Sequence, residues 1–209
     1  MTKEQLQDQR ISFYAAPVTN KSVKCQTSVL DVYNYLTHRS LSPSIASLAS
    51  NGARLSGSAS GIEEATATLR SLTDAKQRRD YKAAHFSYAL PSGLFGDERT
   101  DQSLIRHSSI LCLDFDHLTP ECCARLRQQL IDDPYLEPEL MFTSPSGDGL
   151  KAWVEIDIDV ATHREWFTGI RNYLRHTYEA ELDSSGINPS RACFLPFDPN
   201  AYINPIVFQ

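Results

Sequence analysis

Asp114 and Asp116 stand on either side of Phe115 at the end of the run Ser109-Ile-Leu-Cys-Leu-Asp-Phe-Asp116. Side chains alternate across a strand, so both carboxylates leave one face and Phe115 the other. Two carboxylates that close repel one another unless a cation lies between them. Hard oxygen ligands suit Mg²⁺ or Mn²⁺, and Mg²⁺ commonly completes its shell with water and substrate phosphates. A second cluster is Ser144-Pro-Ser-Gly-Asp-Gly-Leu-Lys151, set between two apolar runs. Ser144, Ser146, Gly147 and Gly149 are residue types that can turn backbone N–H groups toward phosphate, and Lys151 adds a cation. An ordinary Ser/Gly hairpin has the same composition. No Walker sequence is present and no helix is expected after the turn, so it is not a P-loop. In a third cluster, Asp183 to Asn200, Asp183 could complete a three-carboxylate site and Arg191 could hold phosphate oxygens in a bidentate grip. Taken alone, Asp183 reads as a turn residue ending a helix. His117 and His85 read as surface or capping histidines.

These residues need elements to carry them. Apolar patterning predicts strands at 10–16, 86–91, 109–116, 139–143, 150–158, 192–196 and 205–208. It predicts helices at 27–38, from Ile62 to Leu72, at 74–84 and at 161–182. Ser92–Gly96 reads as a turn. Thr119, Pro120 and Glu121 supply an N-cap, a proline at the first helical position and an acid in the first turn, which starts a further helix to about Asp132. Residues 39–61, rich in Ser and Gly, are expected as a flexible loop with at most a helical turn at Ile45–Ala49. The fold class is α+β: a single domain over residues 1–209, with a sheet covered by helices and an N-terminal helical and strand extension.

Composition bounds the function. Of 209 residues, 41% are apolar and 10% aromatic, enough for a sizeable core and too apolar for a disordered chain. A formal charge of −6 argues against a free-standing basic nucleic-acid binder and leaves room for an enzyme whose cations are local. Those cations are Lys76, Arg78, Arg79, Lys82, Arg164, Arg171 and Arg175. The N-terminus lacks the apolar core of a signal peptide, and no run approaches the roughly 18 apolar residues of a membrane span, so a cytoplasmic location is expected. Five cysteines, two of them adjacent, offer neither a disulfide framework nor zinc spacing and are expected as reduced thiols.

Taken in order, Tyr81-Lys82, Leu90-Pro-Ser-Gly-Leu-Phe95, Leu113-Asp-Phe-Asp-His117, Ser144 to Lys151, and Asp183 through Ser190-Arg-Ala-Cys-Phe-Leu-Pro196 with Asp198-Pro199 resemble the VirE N-terminal domain family. That family is similar to the archaeo-eukaryotic primase and primase–polymerase superfamily. The resemblance implies an RRM-like sheet and metal-dependent nucleotidyl transfer in DNA replication or priming, on a mobile element. Asp114, Asp116 and Asp183 are then catalytic metal ligands for Mg²⁺ or Mn²⁺. Ser144, Ser146, Gly147, Gly149, Lys151 and Arg191 bind the nucleoside triphosphate, with Lys151 standing where many members carry His. The implied partners are a single-stranded template and a fused or associated helicase. The rival readings are a non-catalytic nucleotide- or nucleic-acid-binding module of the same fold, and a DxD phosphatase with Asp114 as nucleophile. The phosphatase pattern wants Thr or Val where Leu118 stands.

Overall fold

In the computed structural model, which describes residues 10–21, 24–50 and 59–208, the elements follow the order β1 (Ile11–Tyr14), β2 (Lys24–Thr27), α1 (Val29–Thr37), α2 (Pro43–Ser50), α3 (Ala59–Ser71), α4 (Ala75–His85), β3 (Tyr88–Leu90), β4 (Gly93–Phe95) and β5 (Leu104–His107). They continue with β6 (Ile110–Phe115), α5 (Pro120–Ile131), β7 (Pro138–Thr143), β8 (Leu150–Glu155), α6 (His163–Tyr178), β9 (Cys193–Phe194) and β10 (Tyr202–Ile203). The α+β class stands, but the strands form two four-stranded antiparallel sheets and a hairpin where one sheet was expected. The first sheet has the order β2-β1-β3-β9, the second β10-β7-β8-β6, and β4 pairs with β5.

The two sheets share a core. Ile11 and Phe13 of β1, Ala89 of β3 and Cys193 of β9 meet Ile110, Leu140, Phe142 and Trp153 of the second sheet, with α1 packed among them through Val32 and Leu36. The other face of the second sheet presents Leu111, Leu113, Met141, Ala152 and Val154 to Leu126 and Leu130 of α5 and to Phe167, Ile170 and Leu174 of α6. The α6 residues recur at helical spacing, which is why this segment is a helix and which face it buries. Each such side chain contributes about 1.5–3 kcal/mol on leaving water. Beneath α6, the Asp133 carboxylate accepts from the hydroxyls of Tyr173 and Tyr178 at 2.8 and 2.5 Å, tying the end of the helix to the α5–β7 connection.

Several expected boundaries move for identifiable reasons. Residues 39–61 hold a two-turn helix, α2, because Ser42 caps it (Ile45 N–H to Ser42 Oγ, 3.4 Å) and Ile45 and Leu48 reach the core; residues 51–58 lie outside the described residues. β2 went unforeseen because Lys24-Cys-Gln-Thr27 is a short polar edge strand without an apolar signal. Ser92–Gly96 contains β4, held by pairing with β5 that local sequence does not announce. Helix α6 stops at Tyr178, since Glu179 turns left-handed at φ 55° and Leu182 must return to the core. At the C-terminus the closing strand is β10, while Pro205–Phe208 forms a 3-10 turn.

Candidate functional site

Strand β6 is an edge of its sheet, and its partner β8 fixes what stands beside each acid. In the antiparallel register Asp114 lies opposite Lys151 and Cys112 opposite Trp153. Leu111, Leu113 and Phe115 face the α5–α6 layer, so Asp114 is turned the other way, toward the first sheet. Asp116 lies just past the strand, where His117 takes a left-handed conformation (φ 59°) and Thr119 caps α5 by accepting from the Cys122 N–H at 3.2 Å.

Asp183 is brought to this pair from the far end of α6. Its backbone N–H donates to the Asp114 carbonyl at 2.9 Å, occupying a carbonyl on the strand's free edge. Its carboxylate accepts from the Ser185 N–H at 2.9 Å and the Ser185 hydroxyl at 2.7 Å. The turn that follows is anchored by His163 of α6, whose Nε2 lies 3.1 Å from the Gly186 carbonyl. His163 Nδ1 in turn lies 3.1 Å from His107 Nε2, and the Ser109 N–H donates to His107 Nδ1 at 3.0 Å. Each ring serves both as donor and as acceptor in this chain, so both imidazoles are neutral. Burial, together with the neighbouring His163, pushes His107 down to about 4, and burial also lowers His163.

One oxygen each from Asp114, Asp116 and Asp183 lies within 4.8 Å of the others. Asp114 Oδ1 is buried with no hydrogen-bond partner among the described residues, so an acceptor of the first acid is left over for a ligand. Burial raises the Asp116 carboxyl, and the negative charges of Asp114 and Asp183 raise it further. Burial also acts to raise Asp183, but the Ser185 donors and the Arg191 guanidinium hold it below the usual carboxylate range. Three hard oxygen donors with one carboxyl resisting ionisation are a set that a divalent cation completes.

The cations are placed differently from expectation. Lys151, expected at the triphosphate, is buried and its ammonium pairs with Asp114 Oδ2. Burial alone would lower this lysine; Asp114 and the thiols of Cys193 and Cys112 outweigh it and hold it above its ordinary value. The cause is the β6–β8 register, which puts Lys151 level with Asp114 and not in the turn before it. Arg191 is half exposed, with Nη2 at 3.4 Å from Asp183 Oδ2.

The Ser144–Gly149 turn sits at the acid end of the sheet. Gly149 passes so close to β6 that a Cβ there would stand 2.4 Å from the Phe115 carbonyl, and Gly147 turns at φ 84°. Its carbonyls, however, face arginines from the helices. Arg70 of α3 reaches the carbonyls of Pro145 and Ser144, each at 3.4 Å. Arg78 of α4 donates to the Ser146 carbonyl at 3.0 Å and pairs with Asp148 at 3.6 Å. The N–H groups of Ser144 and Gly147 are used inside the turn, at Gly149 O and Ser144 O. Ser144 Oγ is buried without a partner among the described residues, while Ser146 enters these contacts through its carbonyl. One turn beyond Arg78, on the same helix face, Lys82 stands over the Phe194 ring at 5.7 Å.

Residues 81–203, from the end of α4 to β10, match the family described as BT4734-like, N-terminal domain. The chain belongs to this family. Against curated proteins and against solved structures it finds no match. The BT4734-like assignment overturns the resemblance to the VirE N-terminal family, and no comparison supports membership of the primase superfamily. The motifs behind that resemblance are short runs of Asp, Ser, Gly and Pro at strand ends and turns, residue types that turn geometry itself selects. Within the BT4734-like match lie all three acids, Lys82, Lys151 and Arg191; Arg70 and Arg78 lie before it.

Arg70, His107 and His163 are contributors that sequence reasoning missed, and Lys82 and Arg78 were read only as template cations. Of these, only the spacing of Arg78 and Lys82 on one helix face carried a local signal. None of the described helices is long and apolar enough to cross a membrane, and all five cysteines are free.

Proposed function

We propose that this BT4734-like domain is a metal-dependent nucleotidyltransferase acting on nucleoside triphosphates. The observation that carries the reading is the meeting of Asp114 and Asp116, at the end of β6, with Asp183 from the segment after α6, one oxygen of each within 4.8 Å of the others, and Asp114 Oδ1 left without a partner among the described residues. The donor set suits Mg²⁺ or Mn²⁺. These three acids would hold the ion, and its chemistry there would be to neutralise phosphoryl charge and to lower the pKa of an attacking hydroxyl. Asp183, fixed by Ser185 and by its backbone bond to Asp114, sets the third corner of the cluster. Arg191 stands where it can meet phosphate oxygens, and the Ser144–Gly149 turn, held by Arg70 and Arg78, walls the acid end of the sheet. Asp116 is the exposed acid of the three, which suits it to contact both ion and substrate.

The finer expectation, an RRM-like sheet serving DNA priming, draws support from β8 lying between β6 and β7 as in a split βαβ unit, but β10 pairs with β7 and leaves β6 at the edge, where an RRM-like sheet sets its last strand beside its first. A single-stranded template, a helicase neighbour and a mobile-element setting belong to the same proposal. Several cations named for the template are already engaged: Lys76 and Arg79 pair with Asp80, and Arg175 pairs with Glu181.

The pairing of Lys151 with Asp114 favours a second reading, a nucleotide-binding module without turnover, because it occupies one oxygen of the first acid. One experiment separates the two. Purified protein is incubated with Mn²⁺, labelled nucleoside triphosphates and single-stranded DNA, with and without a primer, beside Asp116→Asn. Incorporation that requires Mn²⁺ and disappears in Asp116→Asn supports the enzyme. Metal-dependent triphosphate binding without incorporation or pyrophosphate release supports the module, and absence of both refutes the site.

A further inference from the structure

A triphosphate carries several negative charges into a site that already holds three carboxylates, so its grip depends on cations that are free to meet it. Lys151 is not free: it is only 7% exposed and its ammonium is spent on Asp114. Arg70 and Arg78 are committed to the turn carbonyls and to Asp148. Lys82 differs from all of these. It makes no hydrogen bond or ion pair through its side chain to a described residue, and its ammonium rests against the Phe194 ring.

Its position is not accidental to the fold. Arg78 pins α4 to the Ser144–Gly149 turn at the acid end of the sheet, and Lys82, four residues on along the same face, sets its ammonium over Phe194 of β9. From the first sheet, Arg191 just ahead of β9 approaches the same place and touches Asp183. Burial and the positive charge of Lys151 lower the Lys82 ammonium, Asp116 and Asp114 pull it back up, and Arg191 opposes it again. Arg191 thus touches Asp183, and Lys82 lies over Phe194, three residues past Arg191, half-buried and in no ion pair with a described residue. Such an arrangement is costly unless an anion arrives to share them.

We infer that Lys82 and Arg191, and not Lys151, grip the polyphosphate of the nucleoside triphosphate. The inference rests on reading the acid cluster as a metal–nucleotide site. The Phe194 ring keeps the Lys82 ammonium beside β9, three residues past Arg191, and Lys151 serves to hold Asp114 in place.

The test measures binding of Mn²⁺ alone, of Mn²⁺ with a nucleoside triphosphate, and of Mn²⁺ with the matching monophosphate, by calorimetry on wild type, Lys82→Met, Lys82→Arg and Arg191→Met. Lys82→Met keeps the volume of the stem and removes the charge. The expected result is unchanged affinity for Mn²⁺ and for the monophosphate, with triphosphate affinity about 10- to 100-fold weaker, as the loss of a charge-assisted contact to phosphate predicts. Lys82→Arg should recover most of it. Wild-type-like triphosphate binding by Lys82→Met overturns the inference and leaves the metal–nucleotide reading standing. A wild type that binds Mn²⁺ but no triphosphate overturns both.

Discussion

Asp114→Asn and Asp116→Asn each remove one charge from the same cluster, yet they should affect the metal-free fold very differently. Asp114 holds the ammonium of Lys151, which is 7% exposed. Without that carboxylate the lysine either stays charged and unpaired or gives up its proton. Deprotonating a lysine of ordinary pKa at pH 7 costs about 4.6 kcal/mol, at 1.36 kcal/mol per unit, which caps the loss. The Asn carboxamide oxygen still accepts one hydrogen bond, which returns about 1 kcal/mol. The expected destabilisation is about 2–4 kcal/mol, near the lower part of the range for breaking a buried pair. Asp116 is exposed and already pushed toward its neutral form by burial and by Asp114 and Asp183, so Asp116→Asn relieves repulsion and should change stability by less than about 0.5 kcal/mol. Urea unfolding at pH 7 in the presence of a chelator, followed by the fluorescence of buried Trp153, reads both. The double variant Asp114→Asn/Lys151→Met should recover at least half of the loss, because the stranded ammonium is gone. Equal stability of the two single variants, or a double variant no better than Asp114→Asn, would refute the argument that Lys151 belongs to Asp114.

The remaining expectations concern the parts that hold the site. The folded His107 and His163 both have pKa values below the unfolded value near 6.5, so their contribution is complete above that value and is lost as pH falls, for His107 through about 4. With the shift discounted for partial exposure, His107 should account for about 1–2 kcal/mol of that acid loss, and His107→Gln should flatten the slope of unfolding free energy between pH 6.5 and 4. Gly149→Ala places a methyl group 2.4 Å from the Phe115 carbonyl and should cost about 1–3 kcal/mol by thermal unfolding; a neutral result would mean that β8 can slide away from β6. Arg78→Ala releases the Ser146 carbonyl and Asp148, so hydrogen exchange in the Ser144–Gly149 turn should quicken while that of β7 and β8 stays slow. Faster exchange throughout the second sheet would instead make Arg78 a general stabiliser.

Local chemistry in the sequence was enough to find the acids and much of their support. The apolar run Ile110–Leu113 is a buried strand that ends at Phe115, and Thr119-Pro120 follows at once with a capped helix, so the place of Asp114 and Asp116 at a sheet end follows from residues within a few positions of each other. The same holds for α6, whose apolar spacing is its own signal. What the sequence could not contain is anything set by pairing across distance. Lys151 and Asp114 meet because β6 and β8 are antiparallel in one register, and a shift of a single residue would turn Lys151 to the opposite face. Asp183 joins them because its N–H finds a carbonyl on the free edge of β6, and α4 docks beside them because Arg78 ties it to a turn 68 residues away. Propensity and capping act within a turn or two of chain. Register, edge pairing and helix docking are decided by the packing of the whole core, and they settled which cation pairs with the first acid.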